Sequence, residues 1–155
     1  MTVTAWRICK RRYAATAFDG EGAKRFGGRL NSKGVAIVYT AESVALAALE
    51  MLVHLESADL LARYLVRSAR FDDSLVSDLD RRKLPKSWRQ SPTPHAVQRI
   101  GDEWIAGGRS AVLRVPSAVI PSEYNYLLNP AHPDFRHVVL GPSQPFRFDP
   151  RLFKS

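Results

Sequence analysis

At positions 35–39 the chain reads VAIVY, a run of β-branched and aromatic residues that predicts a buried strand. Residues 42–62, made largely of alanine, leucine and methionine, then predict the clearest helix of the sequence. A strand running straight into an apolar helix restricts the chain to architectures that layer helices on a sheet. Thr40 is placed to cap the helix, and Glu42 suits the positive end of its dipole. One carboxylate interrupts the apolar pattern: Glu50, between Leu49 and Met51. A carboxylate in an apolar stripe is costly unless it is paired or used in chemistry. Glu50 is therefore either half of a buried ion pair with an arginine or a functional acid. His54, four residues on, shares its face, and its simplest role is that of a satisfied, partly buried histidine. No second histidine stands at a zinc-ligand spacing.

The remaining segments alternate without a strict strand–helix–strand rhythm, which predicts an α+β fold with a mixed, mainly antiparallel sheet in a single domain, residues 1–155. Strands are expected at residues 5–9, 64–71, 111–115 (stopped by Pro116), 137–140 and 146–148. A second helix is expected to start at Thr93-Pro94, with Thr93 as cap and Pro94 at the first helical position. It buries Val97, Ile100 and Trp104 and ends at Gly107-Gly108. Residues 19–34 and 81–94 read as basic loops. A long loop after Pro116 carries Tyr124-Asn125-Tyr126 and Asn129-Pro130.

Three further features carry chemistry. Residues 20–34, GEGAKRFGGRLNSKG, combine unobstructed backbone amides with Lys24, Arg25, Arg29 and Lys33, a composition suited to a phosphate or pyrophosphate. The spacing fits neither a Walker loop nor a dinucleotide fingerprint, and a mobile basic surface loop is the bland alternative. Tyr39 ends its strand just before the helix, where an aromatic lines a cleft or closes the core. Ser117 follows a strand at Val115-Pro116; without a G-x-S-x-G elbow, a serine hydrolase has little support, and a turn serine is the simpler reading. The chain carries 23 Lys and Arg against 15 Asp and Glu, a net charge of +8, so it favours anionic partners without choosing among them. Its single cysteine, Cys9, excludes an internal disulfide, and the first residues lack the apolar core of a secretory signal. The longest apolar run, residues 44–49, is too short to span a bilayer. Together these point to a cytoplasmic protein without membrane contact.

The blocks GEGAKRFGGRLNSKG, VAIVYTAESVALAALEMLVHL and LRVPSAVIPSEYNYLLNPAHPDF, in this order, resemble the RES-domain family over residues 6–148. The arginine, glutamate and serine that name that family match Arg29, Glu50 and Ser117, and Tyr39 matches the family tyrosine. Leu30 departs from the pattern, which usually has tryptophan there. The resemblance implies a toxin of a bacterial toxin–antitoxin pair, with a fold similar to ADP-ribosyltransferase toxins and NAD as substrate. Some members deplete NAD by hydrolysis or phosphorolysis; others transfer ADP-ribose to a protein. The usual partner is an antitoxin with a helix-turn-helix part that covers the active site, and a homodimer within that complex is compatible with the family.

On this reading Glu50 stabilises the oxocarbenium-like ribose as nicotinamide departs. Arg29 holds the pyrophosphate or an incoming phosphate. Tyr39 packs on nicotinamide or its ribose, and Ser117 bonds the ribose or orients Glu50. Arg7 and Arg25 are further phosphate candidates, and His54 lies behind them. No metal and no cofactor beyond NAD as substrate is called for, and no direct nucleic-acid contact is expected. The competing reading is a non-enzymatic nucleic-acid-binding module that uses the net charge and residues 81–89, with Trp88 as a stacking platform.

Overall fold

The computed structural model describes residues 1–153. Its centre is an eight-stranded sheet of β1 (Thr2–Lys10), β2 (Val38–Ala41), β3 (Tyr64–Asp72), β4 (Val76–Asp78), β5 (Val112–Pro116), β6 (Tyr124–Leu128), β7 (Val139–Leu140) and β8 (Gln144–Phe146). The order is β4-β5-β6-β2-β1-β3-β7, with β8 also on β3. Among the described residues only β4 and β5 pair in parallel, and the other strand pairs are antiparallel. The mixed, mainly antiparallel α+β architecture read from the sequence is the one observed.

Side-chain alternation divides the core between the two faces. On one face Ile8, Ala41, Tyr64 and Val66 meet Leu46 and Ala47 of α2 (Val44–Leu52) and the buried Phe148. Further along that face Leu113, Val115 and Leu127 meet Val97 and Trp104 of α3 (His95–Gly107). On the opposite face Ala5, Val38, Ala69, Phe71, Val112 and Leu128 are covered by Ala17, Phe18 and Phe135. Both larger helices thus share one face, and the open space between them is available for a ligand.

Several boundaries differ from expectation, each for a local reason. The strand expected at 35–39 forms its ladder at Val38–Ala41 instead; Ile37 is buried just before it. Thr40 is therefore no cap: its hydroxyl donates to Tyr126 O at 2.6 Å within the sheet. The cap is Ser43, whose Oγ accepts from Leu46 N at 3.0 Å, and Glu42 accepts from Tyr124 N instead of facing the helix end. Helix α2 stops at Leu52, short of residue 62, because Glu56 and Asp59 form a reciprocal capping box that starts a separate 3₁₀ turn, Ser57–Leu61. Thr93 makes no cap bond; Pro94 itself holds the N-cap position of α3, with extended ψ, and its missing N–H costs nothing there. Residues 21–26, expected as loop, form a short helix, α1 (Glu21–Phe26). Residues 124–128 are a central strand, β6, and not loop. The closing segments shift too: β7 starts after a 3₁₀ turn, Pro133–His137, and Phe148 lies beyond β8 in the core.

Candidate active site

A cleft of about 490 Å³, within the usual range for small-molecule sites, opens over the face that carries α2 and α3. Its floor is Trp6, Ile8, Tyr39, Ala41, Asn125 and Leu127; its walls are α2, the turn at residues 27–30, and Leu84 and Trp88. The described residues contain no acidic, histidine or cysteine cluster able to hold a metal ion.

Glu50 and Ser117 meet at one end. Glu50 projects from α2 into the cleft and is half-buried. Ser117 is completely buried just past β5, and its Oγ donates to Glu50 Oε1 at 2.6 Å. The same Oγ accepts from Val119 N and Ile120 N, both at 3.1 Å. One hydroxyl proton and both lone pairs are thus filled within the protein. Of the two tasks expected for Ser117, the geometry is that of orienting Glu50, and its hydroxyl has no capacity left for a ribose. The turn-serine reading also holds, since the two amides belong to the turn that follows. Glu50 forms no ion pair among the described residues.

The turn carrying Arg29 is built around Asn31, which is fully buried. Its Nδ2 donates to Ala23 O, Ser32 O and Val35 O, and its Oδ1 accepts from the Tyr39 hydroxyl. The Tyr39 oxygen in turn accepts from Leu30 N at 3.1 Å. Tyr39 therefore presents its ring to the cleft while its hydroxyl anchors the turn, and burial pushes the phenol pKa up. A Cβ on Gly28 would lie 2.7 Å from the Tyr39 hydroxyl, so the close approach requires glycine. Helix α3 grips the turn from behind: Asp102 accepts from Ser32 N and Oγ, and Gln98 Nε2 donates to Gly28 O. The alternative of a mobile surface loop does not hold for this turn, which is clamped. Asn31, Gln98 and Asp102 were not anticipated as parts of the site; buried polar residues on a glycine-rich turn are the signal that could have found them.

The arginines fall into two groups. Arg29 lines the cleft, and its Nη1 donates to Trp88 O and Gln90 O, tying the 85–90 segment over the mouth. Strands β1 and β2 share a single ladder pair, Trp6 with Ala41, and Arg7 reaches the cleft beside that pair. Its Nη1 donates to Tyr39 O at 3.0 Å; its Nε is shielded from solvent and has no hydrogen-bond partner among the described residues. Burial lowers the Arg7 pKa, only partly opposed by the nearby Cys9 and Asp19. Arg25, by contrast, is exposed on α1 and does not line the cleft. His54 lines it but is solvent-exposed. Trp88 is half-buried over the cleft, and the neighbouring basic residues bond their own chain: Arg81 to Pro121 O, Arg82 to Asp80, and Arg89 to Ala118 O.

A carboxylate fixed by a serine, an aromatic floor and two arginines share one cleft, an arrangement chemically able to hold an anionic ligand with a cationic or electron-poor centre. Residues 4–149 match the RES domain, and the chain belongs to that family. Toxin Res of Yersinia enterocolitica is 42% identical over 149 residues, covering 95% of this chain and 97% of that protein. The Prs ADP-ribosylating toxin of a Sphingobium species is 42% identical over 160 residues, covering 100% and 99%. The toxin–antitoxin complex MbcT–MbcA of M. tuberculosis contains a chain with the same fold, at a TM-score of 0.79 and 22% identity, covering 98% of this chain and 87% of that one.

Proposed function

We propose that this protein is a toxin that cleaves the bond between nicotinamide and ribose in NAD. The observation that carries the reading is the Ser117–Glu50 hydrogen bond at one end of the cleft that also holds Arg7 and Arg29. NAD pairs a pyrophosphate dianion with a cationic nicotinamide ring, and the cleft offers the complementary charges in one continuous space. The guanidinium groups of Arg7 and Arg29, which both line the cleft, suit the pyrophosphate. The Tyr39 ring suits a flat ring or the ribose beside it.

The chemistry needs little from the protein beyond placement. As the C1′–N bond breaks, its electron pair returns to the nicotinamide nitrogen, which leaves neutral. The ribose carries positive charge in the transition state. A carboxylate that is already oriented stabilises that charge without reorganising at the moment of reaction. A nucleophile then adds to C1′ and loses its proton: water gives ADP-ribose, and phosphate gives ADP-ribose phosphate.

A protein side chain as nucleophile is the second reading, favoured by the name of the Sphingobium relative, which matches as closely as the Yersinia one. A cognate antitoxin as partner is supported by the complex in which the structural neighbour occurs, and its role on this reading is to hold the toxin inactive. A nucleic-acid module has weaker support, because Arg81, Arg82 and Arg89 of the segment proposed for it bond their own chain and its tryptophan turns to the cleft. Incubation of the purified protein with NAD, with and without phosphate and cell lysate, followed by mass spectrometry, separates ADP-ribose, ADP-ribose phosphate and a modified protein. Unchanged NAD in every arm overturns the proposal.

A further inference from the structure

We propose that Asn125 reads the carboxamide of the nicotinamide ring and so sets which dinucleotide the site accepts. The inference rests on the NAD reading and adds a residue and a selectivity to it.

Asn125 lies on β6, opposite Val115 of β5 and Ala41 of β2. Its side chain shares a face with Leu127, and both line the cleft. Ser117 is two residues beyond Val115, and its N–H donates to Glu123 O, so Asn125 and Ser117 are diagonal neighbours across the β5–β6 pair. Diagonal neighbours are within reach of each other's side-chain partners, with Cα atoms about 7–8 Å apart. The Asn125 amide therefore stands at the Glu50 end of the cleft.

The amide is half-buried and makes no side-chain hydrogen bond among the described residues. Asn31 and Asn129 differ: Asn31 fills both ends of its amide, and Asn129 Oδ1 accepts from Ala131 N. Around Asn125 the lining is apolar, with Ala41, Val115, Pro116 and Leu127. The amide's donor and acceptor are not sealed from the cleft and are taken by no other side chain, so both are available to a matching ligand. A primary carboxamide is its complement: each group donates one N–H and accepts one in a common plane. A single ribose hydroxyl satisfies only part of it. A carboxylate in the carboxamide's place offers acceptors alone, so one bond is lost and negative charge is set beside Glu50.

The site is thus selective for NAD over its nicotinic-acid counterpart, and selectivity resides in Asn125. The experiment measures kcat/KM for both dinucleotides with the wild type, Asn125→Leu and Asn125→Ala, together with inhibition by nicotinamide and binding of ADP-ribose. Two variants are used so that a folding defect in one leaves the other readable by its thermal melt. In the variants kcat/KM for NAD is expected to fall about tenfold, as two neutral hydrogen bonds warrant, while the acid form changes by less than about threefold. The inhibition constant for nicotinamide rises by a similar factor, and ADP-ribose binding is unchanged. Equal losses for both dinucleotides, or unaltered nicotinamide inhibition, overturn the inference while leaving NAD cleavage intact. A wild type that consumes neither dinucleotide overturns the NAD reading itself, and the inference with it.

Discussion

Replacing Ser117 by alanine deletes one hydroxyl that makes three hydrogen bonds at once, to Glu50, Val119 and Ile120. The bond to the carboxylate is charge-assisted and is worth about 1.5–3 kcal/mol. If that energy acts in the transition state, as orientation of Glu50 requires, kcat falls by roughly 10–150-fold. The two amides left without an acceptor are only half-buried, so the stability cost is about 1–3 kcal/mol in total. Steady-state NAD consumption with kcat and KM resolved, run beside urea unfolding, measures both effects. The loss should be in kcat, with KM within about threefold, because Ser117 has no capacity to hold substrate. In the Glu50→Gln background the same substitution should add little, since it acts through the carboxylate already removed. A folded Ser117→Ala protein with kcat within about twofold of wild type refutes the reasoning, as does a rise in KM at constant kcat.

Other consequences follow from the surrounding framework. Gly101 of α3 packs against Leu30 O so closely that a Cβ would overlap it; Gly101→Ala should therefore cost about 3 kcal/mol or more in urea unfolding and weaken NAD binding as α3 shifts. Arg29→Ala should weaken NAD binding in a titration by about tenfold and loosen the 85–90 segment; unchanged affinity removes Arg29 from the phosphate site. Burial raises the Tyr39 pKa above its ordinary value near 10, so the contribution is complete below that value and is lost as the unfolded phenol ionises first. Stability should fall progressively as pH rises above about 10, toward the raised folded-state value, and less steeply in Tyr39→Phe; identical slopes for the two proteins contradict the assignment. Phe148, edge-on to Tyr64, Phe146 and Phe153, should cost about 3–5 kcal/mol on substitution by alanine, measured by the same unfolding assay.

Sequence patterns reveal what local forces decide. Trp6 and Ile8 share a face because strand alternation is local, and the apolar stripe of α3 at Val97 and Trp104 is set by helical periodicity alone. Glu50 is conspicuous because its neighbours are apolar. The length of α2 is not legible in the same way, since leucine and alanine continue past Leu52 and only the Glu56–Asp59 box ends the run. Strand β6 escapes notice because YNYLL lies between Pro121 and Pro130 and includes asparagine, a poor strand former; it is a strand because β2 and β5 flank it on both sides. The ladder of β2 is likewise fixed by its neighbours, which shift it from VAIVY to VYTA. In the site, the roles of Arg29, Tyr39, Glu50 and Ser117 were suggested by resemblance. That Asn31 and α3 hold the turn, and that Ser117 is saturated, depends on contacts between residues distant in sequence.

In the proposed reaction Glu50, held by Ser117, drives departure of nicotinamide from NAD. The direct measurement is mass spectrometry of NAD incubated with the wild-type protein or with Glu50→Gln, both verified as folded. Free nicotinamide and an ADP-ribosyl product are expected from the wild type, with most turnover lost in the variant. Undiminished turnover in Glu50→Gln, or intact NAD after prolonged incubation with the wild type, contradicts the proposed reaction.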